Sequence, residues 1–126
     1  MRLNDYQREA IAFAKYDHLS YPFLALGEEA GEVLGKLAKH VRKNSVTLET
    51  AIEDAANPAD LTGTAYHPKA IELHDSLRSE LGDVLWQLQA CCSALGMKLE
   101  DVAQDNLLKL AGREARGTIV GNGDVR

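Results

Sequence analysis

The chain has no run of about 18 apolar residues, the length a helix needs to cross a bilayer, so no membrane span is predicted. Its opening, MRLNDYQREAIAFAKYD, is charged throughout and lacks the apolar centre of a secretory leader. Long basic runs are missing too. Lys and Arg number 14 against 19 Asp and Glu, a net charge of −5. That balance argues against nucleic acid as a partner, because such surfaces present a positive field to the phosphates. It leaves room for one small anion held by a few placed cations. Cysteine is scarce: Cys91 and Cys92 are neighbours and in a helix would point about 100° apart, badly placed to bridge each other. No CxxC or Cys/His spacing suggests zinc. The pair reads as reduced core or interface residues in a cytoplasmic protein. With 126 residues, 45% hydrophobic and 26% charged, the chain fits one domain, residues 1–126, with its own core and something to gain from partner subunits.

The hydrophobic periodicity is helical. A first helix is predicted from about Asp5 to Tyr16, with Asn4 as N-cap and Gln7 completing a capping box. After a break at Asp17–Pro22, a second helix covers roughly Phe23–Arg42, with Leu26, Ala30, Val33, Leu34, Leu37 and Val41 in one stripe. LETAIEDAA can form a short helix, whereas NPADLTGTAYHP is rich in breakers and reads as loop. The stretch from about 44 to 73 is therefore a candidate insertion or functional loop. Pro68 suits the first turn of a third helix, Lys69 to Leu95, whose apolar stripe is Leu77, Leu81, Val84, Leu85, Leu88, Cys92 and Leu95. A fourth runs from Leu99 to Ala115, followed by the glycine-rich tail 117–126. The predicted fold class is all-α, a four-helix-bundle-like arrangement with the second and third helices side by side.

Five acids stand in two short clusters: Glu28, Glu29 and Glu32, then Glu80 and Asp83. Residues three or four apart share a helix face, so each cluster presents its acids together. They edge the aliphatic stripes, with Glu29 predicted to be the most buried of its three. Ala25, Gly27, Ala30, Gly31 and Gly82 nearby permit close helix approach. Solvated helix surface is the plain alternative, and one such cluster alone would favour it. Two matching clusters shift the balance towards a hard divalent cation, Mg²⁺ or its substitute Mn²⁺, because the donors are all oxygen. Asn106, Lys109 and Arg113 share an arc of about 60°. Lys109 and Arg113 can neutralise a phosphate chain; a solvated basic last turn is the competing reading. Gly121 and Gly123 would let the tail fold over such a site and bring Arg126 to a phosphate. Trp86 could stack on a base, but core or interface packing suits it better. His74-Asp75 imitates the dipeptide of HD-type phosphohydrolases without the further ligands that chemistry needs. No Glu-x-x-His pair supports a di-iron bundle.

GEEAGEV followed by ELGDVLW resembles the EExxE…ExxD pattern of the MazG-like all-α nucleoside triphosphate pyrophosphohydrolases. DYQREAIAFA and YPFLALGEEAGEVLGKLAKHVRK look like that family's first two helices. DVAQDNLLKLAGREARGTIVGNGDVR resembles its N…KL…R helix and its closing GTI-x-G-x-GD-x-R. The ordered blocks cover the chain apart from about 44–73. The resemblance implies that Glu29, Glu32, Glu80 and Asp83 hold Mg²⁺ and that Glu28 lies nearby as ligand or base. It further implies that Lys109 and Arg113 bind the triphosphate, with Asn106 supporting the metal or a phosphate. It implies cleavage of a nucleoside triphosphate into monophosphate and pyrophosphate by a homodimer or homotetramer. On chemical grounds a carboxylate spare from metal binding, Glu28 or Glu32, is the expected proton acceptor. Related pyrophosphohydrolases acting on dUTP, dCTP or phosphoribosyl-ATP stay open, as does a non-catalytic nucleotide-binding helical oligomer.

Overall fold

A computed structural model describes residues 1–58, 68–121, 123 and 124. The described residues form five helices and no strand: α1 (Leu3–Ile11), α2 (Tyr21–Asn44), α3 (Leu48–Ala56), α4 (Pro68–Ala94) and α5 (Leu99–Ala115). The all-α reading holds, and LETAIEDAA is helical. Most of the expected loop NPADLTGTAYHP falls outside the described residues, as does Arg126. No described helix is long and apolar enough to cross a membrane. The chain packs as two units, Tyr16–Leu88 in one and Met1–Lys15 with Gln89–Arg126 in the other.

In the unit Tyr16–Leu88, α2 begins at Tyr21 with Pro22 in its first turn, where a missing N–H costs nothing. It ends at Asn44 because Ser45 takes a left-handed conformation, φ 52°. The hydroxyl of Thr47 then accepts from the Thr50 amide at 3.1 Å and starts α3. Leu37, Ala51, Ala55 and Leu73 form a core here, with Val41, Val46 and Leu77 against it. One turn each of α2, α3 and α4 is thereby pinned together. Tyr16 stacks on Tyr21 and meets Trp86 edge-on at 6.4 Å, which makes Trp86 a packing residue, as expected. Tyr16 itself is not helical; α1 stops five residues earlier than predicted, at Ile11.

The other unit corrects the expected capping. Asn4 and Gln7 do not cap α1, which starts at Leu3, where the Asp5 carboxylate reaches back to the Arg2 amide at 3.4 Å. They serve α5 instead. Gln7 Oε1 accepts from the Leu99 amide at 2.8 Å and Asn4 Oδ1 from the Glu100 amide at 3.2 Å. The residue preceding α5, Lys98, has no acceptor to offer those orphan amides. Gln7 Nε2 also donates to the Met97 carbonyl (2.9 Å) and to Ser93 Oγ (3.1 Å), tying the α4–α5 turn at Gly96 (φ +67°) to α1. Gln7→Ala is expected to lower stability by about 2 kcal/mol, since it removes a cap and leaves a donor and an acceptor without partners. Urea denaturation measures this; an unchanged midpoint would show that water replaces the side chain.

Candidate functional site

The core cluster sets the register of α2 against α4. Leu37 and Leu73 meet in it, so their neighbours along the seam face each other too. Lys36 Nζ lies 3.3 Å from Glu80 Oε1, and Lys69 Nζ donates to Asn44 Oδ1 at 3.0 Å. As numbers rise along α2 they fall along α4, which makes the pair antiparallel. Continuing that register past Lys36 brings Glu32 and Glu29 alongside Glu80. One carboxylate oxygen from each of Glu29, Glu32 and Glu80 lies within 4.8 Å of the others. Two helices thus converge their acids, as the matched clusters predict.

Within α2 Glu29 is the most buried of its three acids, as expected: it is half-buried, while Glu28 and Glu32 are exposed. In α4 the expectation needs correcting. The buried stripe runs through Leu73, Glu80, Gln87 and Cys91, while Leu81, Leu85 and Leu88 stay exposed. Relative to the aliphatic pattern the helix is turned by roughly 80°. Glu80 is therefore inside the stripe rather than on its flank, with 8% of its surface accessible. Asp83 and Glu28 are exposed and stand outside the three-carboxylate group. The glycines expected to allow close helix approach, Gly27, Gly31 and Gly82, have open space where a Cβ would sit. Sequence reading also overlooked Lys36, although its i+4 spacing from Glu32 was a usable signal.

The cluster is electrostatically unbalanced. The Glu32 carboxyl is raised above its ordinary value of 4.5, chiefly by the Glu80 charge, then by Glu29, with desolvation, a hydrogen bond to Glu80 and the Glu28 charge adding to it. An acid whose folded pKa is raised holds its proton in the native state after the unfolded chain has released it. Native stability from this group is therefore present at and below 4.5 and is lost as pH rises through the elevated folded value. Metal-free protein is expected to melt lower at neutral pH than at mildly acid pH, and Glu32→Gln to flatten that slope. Thermal melts in chelator across the carboxylate range measure both; a parallel slope in the variant would refute the coupling. Three carboxylates with only oxygen donors also suit a hard divalent cation, which would relieve the same repulsion.

Asn106, Lys109 and Arg113 lie in the other unit, on α5. Asn106 and Lys109 are exposed, but Arg113 is buried and engaged. Its guanidinium donates to the Gly123 carbonyl (3.2 Å), the Asp124 carbonyl (3.4 Å) and Asp124 Oδ1 (3.3 Å). Lys109 Nζ reaches the same Oδ1 at 3.4 Å. Together they hold the Asp124 carboxyl below its usual 3.8, Lys109 contributing most. Gly123, at φ +83°, supplies the turn that aims Asp124 at them. Gly123 and Asp124 of the tail lie against these two cations; Asp124 as their anion was not anticipated.

The MazG nucleotide pyrophosphohydrolase domain matches residues 17–117. "Gene 37 protein" of Mycobacterium phage L5 is 35% identical over 109 residues, covering 86% of this chain and 76% of that protein. No solved structure gives a significant match. A domain match extending from before α2 to just past the end of α5, over a helical chain in which Glu29 and Glu32 of EExxE meet Glu80 of ExxD, places this protein in the MazG nucleotide pyrophosphohydrolase family.

Proposed function

We propose that the protein is a Mg²⁺-dependent nucleoside triphosphate pyrophosphohydrolase that releases monophosphate and pyrophosphate. The observation that carries this reading is the meeting of Glu29, Glu32 and Glu80 from two helices. Lys36 balances Glu80, but the repulsion that lifts the Glu32 carboxyl is left for a further cation to relieve. Glu29, Glu32 and Glu80 would hold Mg²⁺, with Mn²⁺ as substitute; the family resemblance adds Asp83. When bound, the ion would supply charge neutralisation on phosphoryl oxygens and an acidified water.

The remaining chemistry belongs to this chain's side chains. A water oxygen bonds to one phosphorus of the α–β anhydride, the bridging oxygen leaves with the other fragment, and a carboxylate takes the water's proton. Glu28, outside the three-carboxylate group and exposed, is free for that task, and Glu32 is the other candidate. Asn106, Lys109 and Arg113 are kept as phosphate-binding candidates on the resemblance. Lys109 and Arg113 would exchange the Asp124 carboxylate for substrate oxygens. Residues 1–126 act as one catalytic domain per subunit, and the exposed Leu81, Leu85 and Leu88 on α4 supply an apolar face for a homodimer or homotetramer.

Pyrophosphate release from a panel of NTPs and dNTPs, with Mg²⁺ and with chelator, tests the proposal. Metal-dependent release is the expected result. Nucleotide binding without release would identify a non-catalytic binder, and turnover confined to dUTP, dCTP or phosphoribosyl-ATP would narrow the substrate.

A further inference from the structure

The seam that holds the carboxylates changes sign as it continues. Along one flank of α2, Glu29 and Glu32 are followed by Lys36, Lys39, His40 and Lys43. Along the facing flank of α4, Glu80 is followed, in the opposite chain direction, by Ser76, Leu73 and Lys69. Beyond the Lys36–Glu80 ion pair the two helices enclose a cavity of about 340 Å³. Lys36, Lys39, Lys43, Lys69 and His40 surround it, and Glu72 is the one acid among its lining residues. Four of the chain's seven lysines thus line one cavity of a protein whose net charge is −5.

Two features argue against an idle solvated surface. The lysines repel one another across the groove, and among the described residues no carboxylate forms an ion pair with Lys39 or Lys43. Lys69 is instead held by the amide oxygen of Asn44, whose own Nδ2 is fixed on the His40 carbonyl at 2.9 Å. A neutral acceptor orients that ammonium without cancelling its charge. The floor, Leu73, belongs to the core that fixes both helices, so the groove is preformed. Its cations span about 10 Å along α2, from Lys36 to Lys43. That length suits a short anion of high charge. A continuous nucleic-acid backbone would run on into Glu32, Glu29 and Glu80.

We propose that this groove is a binding site for an oligophosphate, the β- and γ-phosphates of a bound nucleotide or the pyrophosphate released from it. Lys39, Lys43 and Lys69 neutralise the chain through charge-assisted hydrogen bonds. Lys36 stands at the junction with the carboxylates, where it balances Glu80. The choice of source rests on the pyrophosphohydrolase reading above; the affinity for oligophosphate does not.

The test is calorimetric titration of the full chain with inorganic tripolyphosphate in chelator, alongside pyrophosphate release with Mg²⁺. Lys39→Gln/Lys43→Gln is expected to weaken tripolyphosphate binding at least about tenfold, as is Lys69→Gln. Lys15→Gln/Lys98→Gln, which changes net charge equally outside the groove, is expected to leave it within about twofold. These residues are exposed, and an unchanged melting midpoint verifies folding. If the groove variants bind tripolyphosphate like wild type, or the control pair weakens it equally, the proposal is overturned whether or not NTPs are cleaved. Lysine-dependent binding without any turnover would uphold the groove and sink the enzymatic reading. With turnover, a raised KM for nucleotide in the groove variants assigns the site to substrate phosphates. A raised inhibition constant for pyrophosphate at unchanged KM assigns it to the product.

Discussion

Glu80→Gln is expected to reduce kcat/KM for pyrophosphate release by on the order of 10²–10³-fold, the loss typical of removing one well-placed electrostatic contact to a transition state. The substitution keeps the size of the side chain and removes its charge. Glu80 is the cluster's most buried acid and has Lys36 against it. Glu32→Gln is expected to cost as much activity while raising the melting midpoint of metal-free protein, because it relieves the repulsion that lifts the Glu32 carboxyl. Opposite movement of activity and stability separates a functional charge from a structural one. Mg²⁺-dependent protection against heat should shrink in both variants. Undiminished turnover by the double variant Glu32→Gln/Asp83→Asn would end the metal-hydrolase assignment.

The second large effect concerns stability. Arg113→Ala is expected to destabilise the protein by about 2–3 kcal/mol, and the reason is packing more than charge. The Arg113 side chain is 7% exposed, whereas its ionic partner Asp124 is 85% exposed. If Arg113 is lost, that carboxylate simply rehydrates, and the empty space left by the buried stem dominates the cost. Arg113→Met, which keeps most of the stem, should therefore cost less than about 1 kcal/mol, and so should Asp124→Asn. Denaturant titration of the three variants ranks them. Equal destabilisation by Met and Ala would mean that the guanidinium contacts, not the stem, hold the tail.

Helix type was readable because the apolar residues of α2, α4 and α5 recur at helical spacing and Pro22, Pro68, Gly96 and Gly117 mark their ends; the count was not, since α3 makes a fifth helix where four were expected. The pairing of the two acidic motifs was readable for the same reason: fixed spacing puts each set on one face. Rotation of α4 was not. Its leucines Leu81, Leu85 and Leu88 outbid Glu80 and Gln87 on any hydrophobic scale, yet the chain buries the polar pair and exposes the leucines. Periodicity reports which residues would lower free energy by burial, not which neighbour is there to cover them. Long-range caps were equally hidden. Asn4 and Gln7 look like local caps because sequence proximity is all that a linear reading can use, while their partners lie 96 and 92 positions away. Asp124 shows a related limit: its placement depends on a glycine turn that brings it back over α5.

Those distant caps also constrain the order in which the nascent polypeptide can settle. Tyr16–Leu88 is contiguous, so all the partners within that unit have left the ribosome once Leu88 emerges. Asn4 and Gln7 have no such luck: the amides they bond are synthesised more than ninety residues later. The first helix must wait, and loop closure over that span is slow relative to local helix formation. The carboxylate-bearing segment is thus free to assemble during translation, and α1, made before it, is locked in place after it.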